Sequence, residues 1–281
     1  MNLSRAALLI AILAQPVAAE PAGWAPSLTT TVTWDSNATN ANRDSDVIGA
    51  LRLRGELEAF SRRISLGHDD TLLFSAGVSA EAWPRFDGLD RAVFGPRLAW
   101  RHKFGLGALA PVFSIELTAD GVAARESDRS GYAASARLAW RQRFDEGTQL
   151  AVSYEQARQD ARAAVFDRTG GEAAVEVTRE LNEAWQVSLA ARWREGDVLS
   201  YATPPRPDLV ALARVRTTVN TFGTPRVAYS LTARSLGGSV AFTRTLGEHT
   251  ALTLGYEGRS TEHGPLRYVN HLVSAGLARQ F

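Results

Sequence analysis

Five histidines and a run of oxygen donors near the N-terminal end are the residues here whose types could support catalysis or metal binding. A hydrolytic centre needs a nucleophile, a base and an orienting group within hydrogen-bond reach. His68 and His249 fall in short polar turns, His102 and His271 on the apolar parity of alternating strands, and His263 in the last long outer loop. None stands beside a serine and an acid or amide in a recognisable motif. The sequence therefore offers no catalytic residue, and the chain reads as a non-enzyme. Asp35, Asn37, Asn40, Asp44 and Asp46 form an oxygen-rich group of the kind that suits a hard cation. Their spacing is not that of an EF-hand loop, and they read as a polar loop. With no cysteine in the chain, disulfides and thiolate metal or redox sites are excluded. Gly105-Leu106-Gly107 and Gly170-Gly171 read as turn glycines, not phosphate cradles. The expectation is no metal and no cofactor.

Charge and hydropathy narrow the class of the elements that carry these residues. A formal net charge of +1 lacks the clustered basic excess of a nucleic-acid binder. Met1 to Arg5, the apolar block Ala6 to Leu13, the breaker Gln15-Pro16 and the small residues Val17-Ala18-Ala19 come in the order of a secretory signal. This predicts a leader over residues 1–19, Sec-type export and a mature chain over 20–281. No other stretch reaches the roughly 20 consecutive apolar residues of a membrane helix. A membrane location would then require a closed barrel, because a bilayer offers no water to an open strand edge.

A repeat supports that reading. LRLRGELEAFSRRISLGHDDTLLFSAGVSAEAW, RLAWRHKFGLGALAPVFSIELTAD, RLAWRQRFDEGTQLAVSYEQ, EVTRELNEAWQVSLAARW and VAFTRTLGEHTALTLGYEGR share one layout. Each is a strand with arginine near its end, a short polar turn and a second alternating strand. Longer polar stretches separate the units. Period-two alternation puts Leu72, Phe74, Ala76 and Val78 on one face, and likewise Phe113, Ile115 and Leu117, then Leu150, Val152 and Tyr154. Trp100, Trp140, Trp185 and Trp193 lie near strand ends, where a membrane-interface girdle requires aromatics. The fold class expected is all-β: a transmembrane antiparallel up-and-down β-barrel of about 12 strands, with 10–14 allowed by the pattern. An even count places both termini in the periplasm. Residues 197–236 read either as one long outer loop or as a further hairpin near Val210 to Val219 and Val227 to Ala233.

If the apolar parity meets lipid, the other parity lines the lumen. It carries Arg52, Arg54, Glu56 and Glu58, then Glu81, then Arg97, Arg101 and Lys103, then Glu116 and Asp120. Arg137, Arg141 and Arg143 follow, then Glu155, then Glu172, Glu176 and Glu180, then Arg192 and Arg194. Basic strands neighbour acidic ones, and opposite charges on adjacent strands attract. A lumen braced by ion pairs is expected, serving either as a narrow polar channel or only as a brace. Mixed signs disfavour strong ion selectivity, which needs a ring of one sign. Arg97, Arg101, Arg137 and Arg141 are a candidate anion-attracting wall.

The chain ends on Phe281, with Leu277, Ala275 and Val273 on the same parity and Arg279 where an apolar residue is usual. This ending resembles the assembly signal of bacterial outer-membrane proteins. Trp34-Asp35-Ser36-Asn37 and the closing STEHGPLRYVNHLVSAGLARQF are similar to the two ends of proteobacterial barrel families. Those families include barrel porins and the barrel part of surface lipoprotein assembly modifiers. The resemblance implies an outer-membrane location and two standing partners, outer-membrane lipids and the barrel-assembly machinery during biogenesis. No nucleic acid is expected, and a periplasmic or surface partner is left unnamed. The functional expectation is a passive pore or transporter for small hydrophilic solutes. The alternatives are a barrel assisting export or surface display of a lipoprotein or polysaccharide, and a lipid-modifying enzyme.

Overall fold

Alternating residues broken by polar turns give strands that cannot bury their edges singly, and in this chain they close on one another. A computed structural model describes residues 26–281; the expected leader over 1–19 lies outside the described residues. The strands are β1 (Ser27–Asp35), β2 (Ala50–Ser65), β3 (Asp70–Ala82), β4 (Arg91–Lys103), β5 (Val112–Ala124), β6 (Gly131–Arg143) and β7 (Thr148–Ala161). They continue with β8 (Arg168–Glu180), β9 (Trp185–Ala202), β10 (Val215–Val219), β11 (Arg226–Gly247), β12 (Thr250–His263) and β13 (Leu266–Gln280). Each pairs antiparallel with its neighbour. The ring closes where β1 pairs with β13 and where β9 pairs with β11. β10 is left outside it, so of the thirteen strands twelve make the closed barrel.

The apolar parity faces away from the barrel axis. Val32, Phe74, Leu98, Leu138, Val152, Leu189 and Leu254 are all exposed. In water so continuous an apolar surface would be a liability; against hydrocarbon it is the stable arrangement. The twelve strands of the ring run from 9 residues in β1 to 22 in β11, and a membrane crossing takes about 9–11. Pro96 has no N–H to donate, and the β4–β5 ladder lapses between Phe94 and Arg97 while β3–β4 pairing continues past it.

Pro26 and Phe281, the two ends of the described residues, lie at one end of the barrel with the turns 66–69, 144–147, 181–184 and 248–249. The turn there between β4 and β5 is longer, over 104–111. The opposite end carries the segments 36–49, 83–90, 125–130, 162–167 and 203–225. One sequence expectation fails at this loop end. His263 lies in β12, not in a long loop, and Gly264-Pro265 alone joins β12 to β13. Gly264 has φ +55°, the left-handed conformation so tight a turn demands. The ambiguous region 197–236 resolves into two things at once. β9 and β11 both run beyond the ring, and a short helix α1 (Pro207–Leu212) followed by β10 returns along β11.

Candidate functional site: the lumen and its lid

Inward parity brings the charged rows together as ion pairs across neighbouring strands. Glu81 on β3 sits between Arg54 on β2, at 3.3 Å, and Arg91 on β4, at 2.9 Å. Arg54 also contacts Glu56. Arg97 Nε lies 3.1 Å from Glu116 on β5. Arg192 on β9 approaches Glu172 on β8 at 3.9 Å and Glu257 on β12 at 3.6 Å. The second reach passes over β11, where Gly237 stands in register with both Arg192 and Arg259 and carries no side chain to obstruct it. Arg137 donates to Ser153 at 3.2 Å and has no ion pair with its register partner Glu155. Among the described residues Arg52, Glu58, Arg101, Asp120, Arg141, Glu155 and Glu176 also carry no ion pair. They share the inward parity of the paired residues, and Glu58 and Asp120 line one pocket with Arg54, Glu56 and Arg97. The bracing is therefore concentrated toward the loop end and around Glu116.

The aromatics divide between two levels. Trp100, Trp140 and Trp185 lie near the turn end of β4, β6 and β9, with Phe104 and Trp140 rings 5.2 Å apart. Trp193 lies toward the loop end instead, on one level with Tyr154 and Leu236 through its register partners. Phe281 follows β13; its N–H donates to Pro26 O at 3.0 Å, and the Arg279 guanidinium stands 5.2 Å from its ring.

The segments at the loop end converge over the lumen. Phe86, Val165, Phe166 and Phe222 are buried in one cluster with Ala50, Leu199, Tyr201 and Ala228. Phe222 lies 5.1 Å from Phe86 and 5.0 Å from Tyr201, ring centre to ring centre. A second cluster packs Leu209 of α1 on Ala202, Tyr229 and Leu231. Beyond Gly196 the β8 side of β9 has no barrel strand to pair with, and segment 36–49 takes that edge. Tyr201 N–H donates to Thr39 O at 2.8 Å, the Asn40 amide donates to Leu199 O at 2.9 Å, and Ser200 Oγ donates to Asn40 O at 2.9 Å. Segment 36–49 springs from β1 and β2, on the far side of β11, β12 and β13 from β9. Its contact with β9 therefore spans the mouth, and the converging segments form a lid.

Two polar nodes fasten it. Asp46 accepts from Arg206 Nη1 at 2.9 Å and from Thr203 N–H at 2.9 Å, and its carbonyl accepts from Arg226 at 3.1 Å. Arg129 donates to Glu126 at 2.8 Å and to the Tyr201 hydroxyl at 2.8 Å, with its guanidinium 4.4 Å from the Phe166 ring centre. The Arg206 hydrogen bond holds the Asp208 carboxyl down at about 2, against an ordinary 3.8. The oxygen-rich loop is likewise spent on structure. Asn37 Oδ1 accepts from Ala41 N–H and Thr39 Oγ1, and Asp35 Oδ1 accepts from Asn37 N–H and the Asn270 amide. His102 sits 3.0 Å from Asp70, and His271 2.8 Å from the Tyr256 hydroxyl, both on the outward face.

Beneath the lid lies a cavity of about 340 Å³. Sequence reasoning placed Arg52, Glu81 and Arg194 on its wall but missed Arg91, Arg129, Arg168 and Arg259. Arg168 opens β8 next to a turn, and Arg129 sits between strands, so neither belongs to a long alternating row.

No family model matches the chain, and no curated protein matches it. Solved structures do. An outer-membrane channel from Pseudomonas putida F1 is similar over 95% of this chain and 99% of that one, with a TM-score of 0.58 and 9% identity. The NanC porin gives a TM-score of 0.49 at 6% identity over 90% of this chain and 100% of its own. At such identity the first of these shows the fold alone, a closed antiparallel β-barrel.

Proposed function

We propose that this protein is an outer-membrane channel for small hydrophilic solutes, exported after loss of residues 1–19 and closed at its outer mouth by the lid. One observation carries the reading: a closed ring of twelve strands whose outward face is apolar and whose inward face is charged. Lipid accepts the first face and only water or polar solute accepts the second. The turn end with Pro26 and Phe281 is then periplasmic, and the lid is extracellular. Phe281 is the contact for the barrel-assembly machinery. The likeness to an outer-membrane channel supports a channel over an enzyme, as does the spread of the histidines over turns and the outward face. The paired rows and the lid favour a small, gated path over a broad one.

Reconstitution into planar bilayers tests it. The expected record is brief openings of small conductance, with liposomes swelling in monosaccharides and not in larger oligosaccharides. A barrel that inserts fully yet passes neither ions nor sugars, with or without its lid intact, overturns the channel reading.

A further inference from the structure

The cavity under the lid holds more positive charge than its own acids neutralise. Its acids are all engaged. Glu81 is held by Arg54 and Arg91, and Glu257 by Arg192 and Arg259. Asp197 is held by Arg214 and the Thr169 N–H, and Asp35 by Asn37 and Asn270. The arginines are not. Arg91 and Arg259 share those acids, and Arg129 is spent on Glu126. Arg52, Arg168 and Arg194 line the same space and, among the described residues, their side chains make no ion pair or hydrogen bond. Arg52 only stands 5.8 Å from the Trp83 ring centre. Among the described residues Arg168 Nε is buried with no hydrogen-bond acceptor.

A guanidinium withdrawn from water without an acceptor is costly. Its planar fork matches a carboxylate or phosphate, which can take two parallel N–H bonds. Arg168 and Arg194 come from adjacent strands, on either side of the register pair Gly170 and Gly196, which leaves the wall between them bare. A volume of about 340 Å³ is at the small end of ligand pockets, which run about 300–1,000 Å³. We propose that this chamber is a binding site for a small solute bearing a carboxylate or phosphate group, held by Arg168 and Arg194 with Arg52 opposite. The proposal rests on the channel reading and names the solute class that the channel takes.

The test is titration calorimetry on the full mature chain in detergent, with succinate, inorganic phosphate and neutral succinamide as probes. Wild type and Asp46→Asn, whose lid is loosened, are both used so that a shut lid cannot hide the site. Succinate or phosphate should bind at least tenfold tighter than succinamide, and which of the two binds tighter tells carboxylate from phosphate. Arg168→Gln with Arg194→Gln should weaken the better probe at least tenfold, while Arg62→Gln on the outward face should not. Equal binding of all three probes to both proteins, or undiminished binding by a folded double variant, overturns the site. Conductance in potassium chloride is scored separately. A conducting barrel that ignores both anions loses the site and keeps the channel, whereas one that binds them without conducting keeps the site and loses the channel.

Discussion

Arg206 Nη1 lies 2.9 Å from Asp46 Oδ2, and both side chains are almost wholly buried. The pair ties the segment between β1 and β2 to the segment between β9 and β10, so it fastens the lid and not the ring. Removing one partner of a buried pair costs about 3–5 kcal/mol when the other charge is stranded; without Asp46, Arg206 keeps Asp208 but the buried Arg226, 3.6 Å from Asp46, has no other acid among the described residues. Asp46→Asn should therefore shift the lid toward open by two or more decades in equilibrium constant, at about 1.4 kcal/mol per decade. Single-channel records should show long open intervals replacing brief ones. Unchanged gating in a correctly inserted variant would mean that this contact does not hold the mouth.

The apolar half of the lid predicts a different signature. Phe222 is buried against Phe86 and Tyr201, and truncating a buried aromatic costs about 3–5 kcal/mol. None of that loss falls on the ring, whose strands pair without Phe222. Phe222→Ala should let trypsin cut at Arg214 or Arg216 while the barrel stays protected. Loss of the whole barrel to protease would show that lid and ring fold as one unit.

Sequence reading recovered the ring and lost the lid, and the reason is physical. Leu117 and Thr118 alternate because one meets lipid and the other the lumen. Beyond Gly196 that contrast ends. Leu199 and Tyr201 enter one buried cluster while Val198 and Ala202 enter the other. A strand covered on both faces loses its period-two signal, so the extensions of β9 and β11 read ambiguously, as loop or as a further hairpin, and the β10–β11 pairing supplies the hairpin. Phe86 and Phe222 stand singly in polar segments and Val165-Phe166 end a run of only four apolar residues; closure of the barrel brings them together. The lumen rows were legible as rows. Which arginines end up unpaired depends on three-dimensional neighbours such as Glu257, reached over Gly237.

Acid should loosen the lid at one identifiable contact. Arg206 lowers the Asp208 carboxyl to about 2 from an ordinary 3.8. A group depressed on folding stabilises fully above its unfolded value and loses that contribution as pH falls through the folded one. Open probability should thus be flat down to about pH 4 and rise between about 3.8 and 2. Asp208→Asn should start from a higher open probability and show a smaller rise. An identical acid response in both proteins would place the titrating group elsewhere.

Arg97, Arg101, Arg137 and Arg141 share the inward face of β4 and β6, and β5 between them contributes Glu116, paired to Arg97. Among the described residues three guanidiniums then stand free of acid partners along one wall, enough to favour anions without the single-sign ring that strong selectivity needs. Reversal potentials across a potassium chloride gradient should show modest anion preference. Replacing all four by glutamine should move them toward the cation side. No movement in that variant would sink the wall as a selectivity element and leave these residues as spacers.

The two faces of one strand give the most direct test of which side meets lipid. Leu117 on β5 is 48% exposed on the outward face, with Leu98 and Ala136 beside it in register. Thr118, the next residue, points inward and bonds to Ser135 at 3.0 Å. Arginine near the bilayer midplane on the lipid face of a barrel costs about 2–4 kcal/mol, falling to about 0–1 near the interfaces. Leu117→Arg should therefore lower unfolding free energy by about 2–4 kcal/mol in denaturant titrations from phosphatidylcholine vesicles. Thr118→Arg should cost less in stability yet reduce conductance, because its charge enters the water-filled side. A reversed pattern, with the Leu117 change silent and the Thr118 change destabilising, would turn the barrel inside out and remove the basis for reading the charged rows as a lumen.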